Sequence, residues 1–374
     1  MLKLKIGITG QNGFVGWHLS QTIKYFHPND FYLIPFERNF FSNPDSLDNF
    51  VSKCDCIIHL AGLNRAEDQL KISEINITLS KQLMESFERV DFKGKLIFSS
   101  TAQENNNSSY GTSKKEARKV FINGSNKVGF EFLGLIIPNI FGPFCKPNYN
   151  SFIATFCEKI INGIEPEIII DNKVELLYVG TLVEEIIKNI KNPSNSNIII
   201  APQENIKVSS VLKKLNTFYK QYIEKAEIPK LENRFDLQLF NTFKSYLNFE
   251  QKYPIKHKEN IDKRGSFSEI VRSKVSGQVS YSITNPDSIR GNHFHTRKIE
   301  RFSVIQGKAL IQLRKIGSNT IHNFTLNGNN PSFVDMPIWY THNITNIGEE
   351  PLITLFWINE PYYEKDSDTY FEIV

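Results

Sequence analysis

Leu4-Lys5-Ile6-Gly7-Ile8-Thr9-Gly10-Gln11-Asn12-Gly13-Phe14-Val15-Gly16 decides the fold of the first half of the chain. A β-branched apolar run enters Gly10, Gly13 and Gly16, and a helical pattern follows. Glycines allow a tight turn and close backbone approach to a pyrophosphate. The N-terminus of the following helix offers free N–H groups and a positive dipole end. A strand before and a helix after are the context such a motif needs. Gly10, Gly13, Phe14, Val15 and Gly16 are therefore expected to cradle a dinucleotide. Further apolar runs at 32–36, 56–60, 95–99 and 132–137 are separated by segments long enough for crossover helices, which predicts a parallel α/β sheet. The second run ends in Phe36-Glu37-Arg38. An acid there holds the ribose hydroxyls of NAD, whereas an arginine accepts the 2′-phosphate of NADP. Both are present, so the residues alone leave that choice open.

The texture changes after about residue 250. From Gly265 onward, short β-branched and aromatic runs are broken by Asn285-Pro286, Asn327-Gly328 and Ile347-Gly348. That pattern predicts an all-β barrel or jelly roll. The expected division is a dinucleotide-binding domain at 1–250 and a β domain at 251–374, with Pro254 in the linker. A length of 374 residues accommodates both. A net charge of +4 is too mild for a nucleic-acid partner. Cys54, Cys56, Cys145 and Cys157 are too few and too irregular for a secreted disulfide framework and are expected to be small buried hydrophobes. No stretch reaches the roughly 18 apolar residues of a membrane span. The chain enters its first strand at once, leaving no room for a signal peptide, so the cytoplasm is the expected compartment.

Tyr110 and Lys114, four residues apart in Tyr-Gly-Thr-Ser-Lys, fall on one helix face. A neighbouring ammonium favours a phenolate and is expected to lower the tyrosine pKa. Thr101, after Ser99-Ser100, can place a hydroxyl beside the same substrate oxygen. Together with His59-Leu60-Ala61-Gly62, Asn76 and Pro138-Asn139-Ile140-Phe141-Gly142-Pro143, residues 1–245 resemble the extended short-chain dehydrogenase/reductases, which mostly act on nucleotide sugars. The resemblance implies Thr101, Tyr110 and Lys114 as catalytic residues, Leu60 and Ala61 beside the cofactor, and Asn139 near the substrate. Many relatives carry an arginine where this chain has Ile136; Arg65 or Lys146 is expected to supply its contacts.

In the second half, His293 and His295 alternate on a presumed strand, so both imidazoles face one way. Glu300 follows, and His342 comes later. Three histidines and a carboxylate converging inside a barrel make a transition-metal site. The spacing resembles the two cupin motifs, with Asp287 and Trp339 standing where glycines are usual. Three histidines and a carboxylate would suit zinc, manganese, iron or nickel. The stretches 262–269 and 289–293 resemble sugar-nucleotide 3,5-epimerases of the rhamnose pathway. That likeness implies Arg264, Glu269 and Arg290 as substrate contacts, the arginines binding a diphosphate through forked hydrogen bonds. His293 cannot be both metal ligand and free base, so Lys298 is the candidate base.

A reductase joined to such a cupin, with shared stretches at 59–65, 145–151, 264–269, 340–343 and 368–371, resembles the bifunctional enzymes of capsular-polysaccharide synthesis. The resemblance implies carbon-3 epimerisation of a UDP-linked 4-keto amino sugar, then carbon-4 reduction with NADPH, by a zinc-containing homodimer without membrane or nucleic-acid partners. Two other readings are a monofunctional reductase whose cupin is structural or dimerising, and a non-enzymatic nucleotide-sugar sensor. A sensor has no need of a proton donor such as Tyr110.

Overall fold

The computed structural model describes residues 2–106, 108–192, 196–263 and 265–374. The chain forms two compact units, one of residues 1–155 and 168–208, the other of residues 156–167 and 209–374. In the first unit, β1 (Leu4–Thr9), β2 (Phe31–Ile34), β3 (Cys56–His59), β4 (Lys95–Thr101) and β5 (Glu131–Ile137) form a parallel sheet in the order β2-β1-β3-β4-β5. Strand Ser196–Ile199 adds to β5. The strands alternate between two cores. Ile57, Leu96 and Phe98 pack on one face with Leu83, Phe87 and Phe121. Ile58, Ile97 and Leu133 pack on the other with Leu19 and Ile23. Burial on both faces explains the nearly continuous apolar runs. β2 stops at Ile34 rather than at residue 36, because Pro35 has no N–H for the ladder. β4 runs on to Thr101, carrying Ser100 and Thr101 to the sheet edge. Parallel pairing of β1 with both β2 and β3 makes β1 the point where the winding reverses, and the ligand crevice of such sheets opens at the carboxyl ends there.

The second unit contains two five-stranded sheets, antiparallel throughout. One runs Ile255–Lys256, Ser332–Met336, Glu300–Gln306, Leu352–Ile358, Gln278–Thr284. The other runs Ile321–Asn327, Lys308–Lys315, Tyr340–Asn346, Ile289–Phe294, Tyr370–Phe371. The fold is thus a Rossmann-type α/β sheet followed by an all-β cupin-like domain, as the sequence pattern predicts.

The packing boundary does not fall at 250. Residues 209–252, mostly helical, belong to the β unit. Their Tyr222 hydroxyl donates to Asp335 Oδ2 at 2.7 Å and lies 2.6 Å from the Tyr253 hydroxyl. Asn241 Nδ2 donates to the Arg297 carbonyl at 3.0 Å. The change of texture at 250 marks a switch in secondary structure, whereas Asp335 and Arg297 lie 113 and 56 residues from their partners in sequence. Among the described residues, no helix is long and apolar enough to cross a membrane.

Arg301 and Asp335, both fully buried, pair through Nε–Oδ1 at 2.8 Å and Nη2–Oδ2 at 3.0 Å. Removing one partner orphans a buried charge, which costs about 3–5 kcal/mol. Asp335→Ala is expected to lower the unfolding free energy of the second unit, from urea titration, by that amount. A free energy within about 1 kcal/mol of the parent would contradict this role.

Candidate functional site

The turn after β1 is built for close backbone approach. Gly10 has φ +78°, and a Cβ there would lie 2.9 Å from the Ala61 nitrogen in the turn after β3. Helix α1 (Phe14–Phe26) follows with Gly13 as its N-cap, so no side chain claims the first-turn amides of Phe14, Val15 and Gly16. Unclaimed amides at a helix N-terminus fit the phosphates of a dinucleotide. Gln11 Nε2 donates to the Phe36 carbonyl at 2.7 Å, tying this turn to the end of β2. Glu37 and Arg38 stand exposed there, and neither makes an ion pair with a described residue. Thr9 Oγ1 lies 2.7 Å from His59 Nδ1. Burial holds the His59 imidazole neutral, down at about 3.

Of the proposed catalytic residues, Thr101 ends β4 and Tyr110 and Lys114 lie on the helix that follows. Thr101 is buried, and its Oγ1 accepts from the Gln103 amide at 3.2 Å. Ser108 caps the helix Ser109–Val128, accepting from the Gly111 amide at 3.1 Å. A Cβ on Gly111 would sit 2.1 Å from the Gln103 carbonyl, so only glycine lets this helix approach the turn after Thr101. Lys114 is thereby delivered beside Ser99, with Tyr110 one turn earlier on the same helix. Arg118, one turn on, forks onto Glu104 at 2.8 and 2.6 Å, and Ser100 Oγ also donates to Glu104. Lys114 Nζ lies 3.5 Å from Ser99 Oγ and 4.4 Å from the Phe98 ring centre. Asn76 braces the site, its amide donating to Ser113 Oγ at 3.0 Å and its Oδ1 accepting from the Leu63 amide at 2.6 Å.

The protonation expected of this pair is corrected by burial. The Tyr110 phenol is pushed up to about 12, first by desolvation and then by Tyr149. The Lys114 amine is pushed down to about 7 by desolvation. A lysine driven toward neutrality exerts little field on its neighbour, so the phenol stays protonated, as a proton donor must be.

Of the substrate-contact candidates, Arg65 Nη1 donates to the Tyr149 carbonyl at 2.9 Å, and Lys146 Nζ lies 5.7 Å from the Tyr149 ring centre. Asn64 N donates to the Tyr149 hydroxyl at 3.3 Å. Tyr149 thus gathers Arg65 and Lys146 and also acts electrostatically on Tyr110. It lies within the stretch 145–151, but nothing in its spacing marks it as part of the site. Asn139 is exposed and donates to the Glu175 carbonyl at 3.3 Å.

In the second unit His293 and His342 are register partners on adjacent strands, with ring centres 4.5 Å apart. His295 follows the same strand as His293, and Glu300 opens a strand of the other sheet. One ligand atom from each of the four lies within 4.8 Å of the others. His295 Nδ1 donates to the Asp368 carbonyl at 2.5 Å, and His342 Nδ1 to the Tyr340 carbonyl at 3.3 Å. A carbonyl only accepts, so each Nδ1 carries a proton and each Nε2 faces inward, a lone pair whenever its ring is neutral. They lie 3.0 and 3.3 Å from Glu300 Oε2. All three inward atoms are buried without a hydrogen-bond partner. Three such atoms converging in a buried space make a donor set that fits zinc or a related divalent metal. Burial with two neighbouring imidazoles lowers His293 to about 3. Asp287 and Trp339 both adopt left-handed φ, +59° and +62°, so they occupy the glycine conformation of the cupin motifs.

Lys298 is buried, with Nζ 5.9 Å from the Tyr362 ring centre. Arg290 donates through Nε to Thr284 Oγ1 at 2.9 Å and through Nη2 to the Ile283 carbonyl at 3.2 Å. Glu269 forks onto Arg272 at 2.7 Å through both oxygens. Arg264 lies outside the described residues. All four cysteines are buried free thiols.

Residues 6–201 match the NAD dependent epimerase/dehydratase family, and residues 260–370 match the polysaccharide biosynthesis C-terminal domain. The first match spans just over half of the chain, which therefore belongs to the NAD dependent epimerase/dehydratase family. Among curated proteins it is 29% identical over 374 residues to UDP-2-acetamido-2,6-beta-L-arabino-hexul-4-ose reductase of Pseudomonas aeruginosa, covering 98% of each chain. Among solved structures it is similar to the capsular polysaccharide assembling protein CapF of Staphylococcus aureus, with 32% identity and a TM-score of 0.62 over 99% of this chain and 100% of that one. RMD of Pseudomonas aeruginosa, solved with NADPH, shares the fold at 19% identity and a TM-score of 0.53 over 58% of this chain and 84% of that one.

Lys114 gives the site a pH signature. Its folded pKa, about 7, lies below the ordinary lysine value of 10.5. Between those values the unfolded chain binds the extra proton, so stability rises with pH across that window. Below about 7 the charged amine imposes its full cost. Lys114→Met is expected to stabilise the ligand-free protein most below pH 7, with the gain shrinking toward pH 10. A gain independent of pH, measured by urea titration, would show that Lys114 is not desolvated.

Proposed function

We propose that this chain carries out two successive steps on a UDP-linked 2-acetamido-2,6-dideoxy-4-keto-hexose. The β unit epimerises carbon 3, and the Rossmann unit reduces the carbon-4 ketone with NADPH to give UDP-2-acetamido-2,6-dideoxy-L-talose, an N-acetyl-L-fucosamine precursor for capsule or O-antigen. The observation that carries the reading is the set of Thr101 and Lys114, both buried, with Tyr110 one turn before Lys114 on the same helix. The substrate class is taken from the reductase to which the chain is similar along nearly its whole length.

NADPH when bound supplies the hydride. Tyr110, held protonated by burial, gives its proton to the carbon-4 oxygen, and Thr101 orients that oxygen. Exposed Arg38 beside the glycine turn supports the choice of NADPH over NADH. For epimerisation, the neighbouring ketone acidifies the carbon-3 proton. We assign its removal to Lys298, because His293 is committed with His295, Glu300 and His342 to a zinc site. A solvent-derived proton is then delivered to the opposite face of the enolate. Arg290 and Arg264 are proposed for the diphosphate, Glu269 for the sugar, and Arg65, Asn139 and Lys146 for the substrate in the reductase unit. Val279, Tyr281 and Ile283 leave an exposed apolar face on the edge strand Gln278–Thr284, which supports a homodimer through this unit. Four free thiols support a reducing, cytoplasmic setting.

The test is turnover of the UDP-4-keto sugar with NADPH in deuterium oxide, read by mass spectrometry. One carbon-bound deuterium in the reduced product is expected. A reduced product without deuterium would mean reduction without epimerisation, the monofunctional alternative. Faster turnover with NADH would overturn the cofactor choice.

Tyr110→Phe is expected to lower reduction by about 10²- to 10⁴-fold, the usual contribution of a positioned proton donor. Deuterium exchange at carbon 3 should persist, since its residues lie in the other unit; loss of exchange in this variant would rule out independent sites.

His342→Gln is expected to leave zinc well below one per chain by elemental analysis, with NADPH binding unchanged. Full zinc occupancy in the variant would refute the ligand assignment.

A further inference from the structure

The C-terminal tail converges on the histidine cluster through one buried residue. Asp368 is 2% exposed and follows the short helical turn Glu364–Asp366. Its carboxylate accepts from three consecutive amides: Thr296 at 3.1 and 3.2 Å, Arg297 at 3.0 Å and Lys298 at 3.1 Å. It also accepts from Thr296 Oγ1 at 2.7 Å. The carbonyl of the same residue takes the His295 Nδ1 proton at 2.5 Å. The chain from His295 to Glu300 is the turn that sets the spacing of those two side chains, and Asp368 grips its middle. Beyond Asp368, Phe371 pairs with His293. The Glu372 amide donates to the Asn292 carbonyl at 3.0 Å, and the Glu372 carbonyl accepts from Thr341, the neighbour of His342.

We propose that Asp368 is a positioning residue for the His293/His295/Glu300/His342 cluster, its carboxylate pinning the 296–298 turn so that its carbonyl fixes the tautomer and direction of His295. The inference rests on the metal reading of that cluster. Two features make the side chain necessary for the carbonyl's position. Asp368 itself sits at φ +45°, a conformation that a non-glycine residue keeps only when its surroundings hold it there. The carboxylate is the one acceptor on which the Thr296, Arg297 and Lys298 amides converge, so removing it frees both the turn and the tail. His295 would then lose the carbonyl that keeps its proton on Nδ1, and Nε2 would no longer be committed as a lone pair facing Glu300. Outer partners of this kind set metal affinity without touching the metal.

The test adds cobalt(II) alone to the metal-free full-length protein and reads affinity and the visible spectrum of bound cobalt. Asp368→Ala is expected to weaken cobalt binding by about 10- to 100-fold, the usual effect of losing an outer partner, and to alter the spectrum. Thr296→Val removes only the hydroxyl donor and guards against simple misfolding; a smaller loss in the same direction is expected. Arg297→Ala serves as the control for general loosening. It breaks the contacts to Glu360 and Asp366 on the same turn but keeps the amide that Asp368 accepts. It should lower the melting temperature while leaving cobalt affinity at the parent value. Parent-like affinity and spectrum in Asp368→Ala would overturn the proposal, and so would an equal loss in Arg297→Ala. Cobalt uptake by the parent protein that is indifferent to His342→Gln would instead overturn the ligand reading, and this inference with it.

Discussion

The absence of a side chain at Gly10 is the constraint on which the first unit depends. It brings the turn after β1 against the Ala61 backbone, closing the crevice at the point where the sheet's winding reverses. From there a chain of contacts leads to the chemistry. Thr9 meets His59, the His59 ring stacks on Phe98 at 5.8 Å, and Phe98 lies under the Lys114 amine. A bulkier residue at Gly10 would disturb the phosphate turn and the floor of the reducing site together. The two are one packed object, assembled from the carboxyl ends of β1, β3 and β4.

The second unit holds two buried polar clusters of opposite character. Around Arg301 and Asp335 the guanidinium, the carboxylate and the Tyr222 hydroxyl find partners within 3.0 Å, and the helical segment is joined to the β strands as a result. Around Glu300 the inward nitrogens and the carboxylate oxygen have none. Burying polar atoms without partners costs free energy that a fold does not keep without return. The closed cluster is explained by architecture alone, whereas the open one offers a donor set that fits a metal ion. Adjacent residues, Glu300 and Arg301, project into these different environments because successive side chains on a strand point to opposite faces.

Much of this was legible in the sequence because it is local. The glycine turn, the Tyr110/Lys114 spacing and the alternation of His293 and His295 each depend on a few neighbouring residues whose geometry follows from helix or strand period. Even the departures from the cupin pattern were informative, since Asp287 and Trp339 take the left-handed conformation in place of glycine. What the sequence hid is non-local. The helical segment 209–252 is tied to residues near 300 and 335, Tyr149 reaches back to Asn64 and Arg65, and Asp368 clasps a turn some seventy residues earlier. No spacing rule encodes such pairings. The Tyr110 protonation was misjudged for a related reason: a motif shows the neighbouring amine but not the depth of burial that suppresses its charge.

The two sites therefore fix protonation by different physical means. In the reductase unit, desolvation does it. Tyr110 is kept protonated and Lys114 drawn toward neutrality because charge is poorly solvated there. In the β unit, hydrogen bonding does it. Backbone carbonyls of Asp368 and Tyr340 take the Nδ1 protons and leave each inner nitrogen as a lone pair whenever its ring is neutral. Desolvation is set by packing and survives small shifts of the backbone, because no single atom is responsible. A tautomer fixed by one carbonyl is lost when that carbonyl moves by a fraction of an ångström. The second site accordingly needs a device that holds backbone to backbone, and the carboxylate of Asp368, accepting from three consecutive amides, has the geometry of such a device.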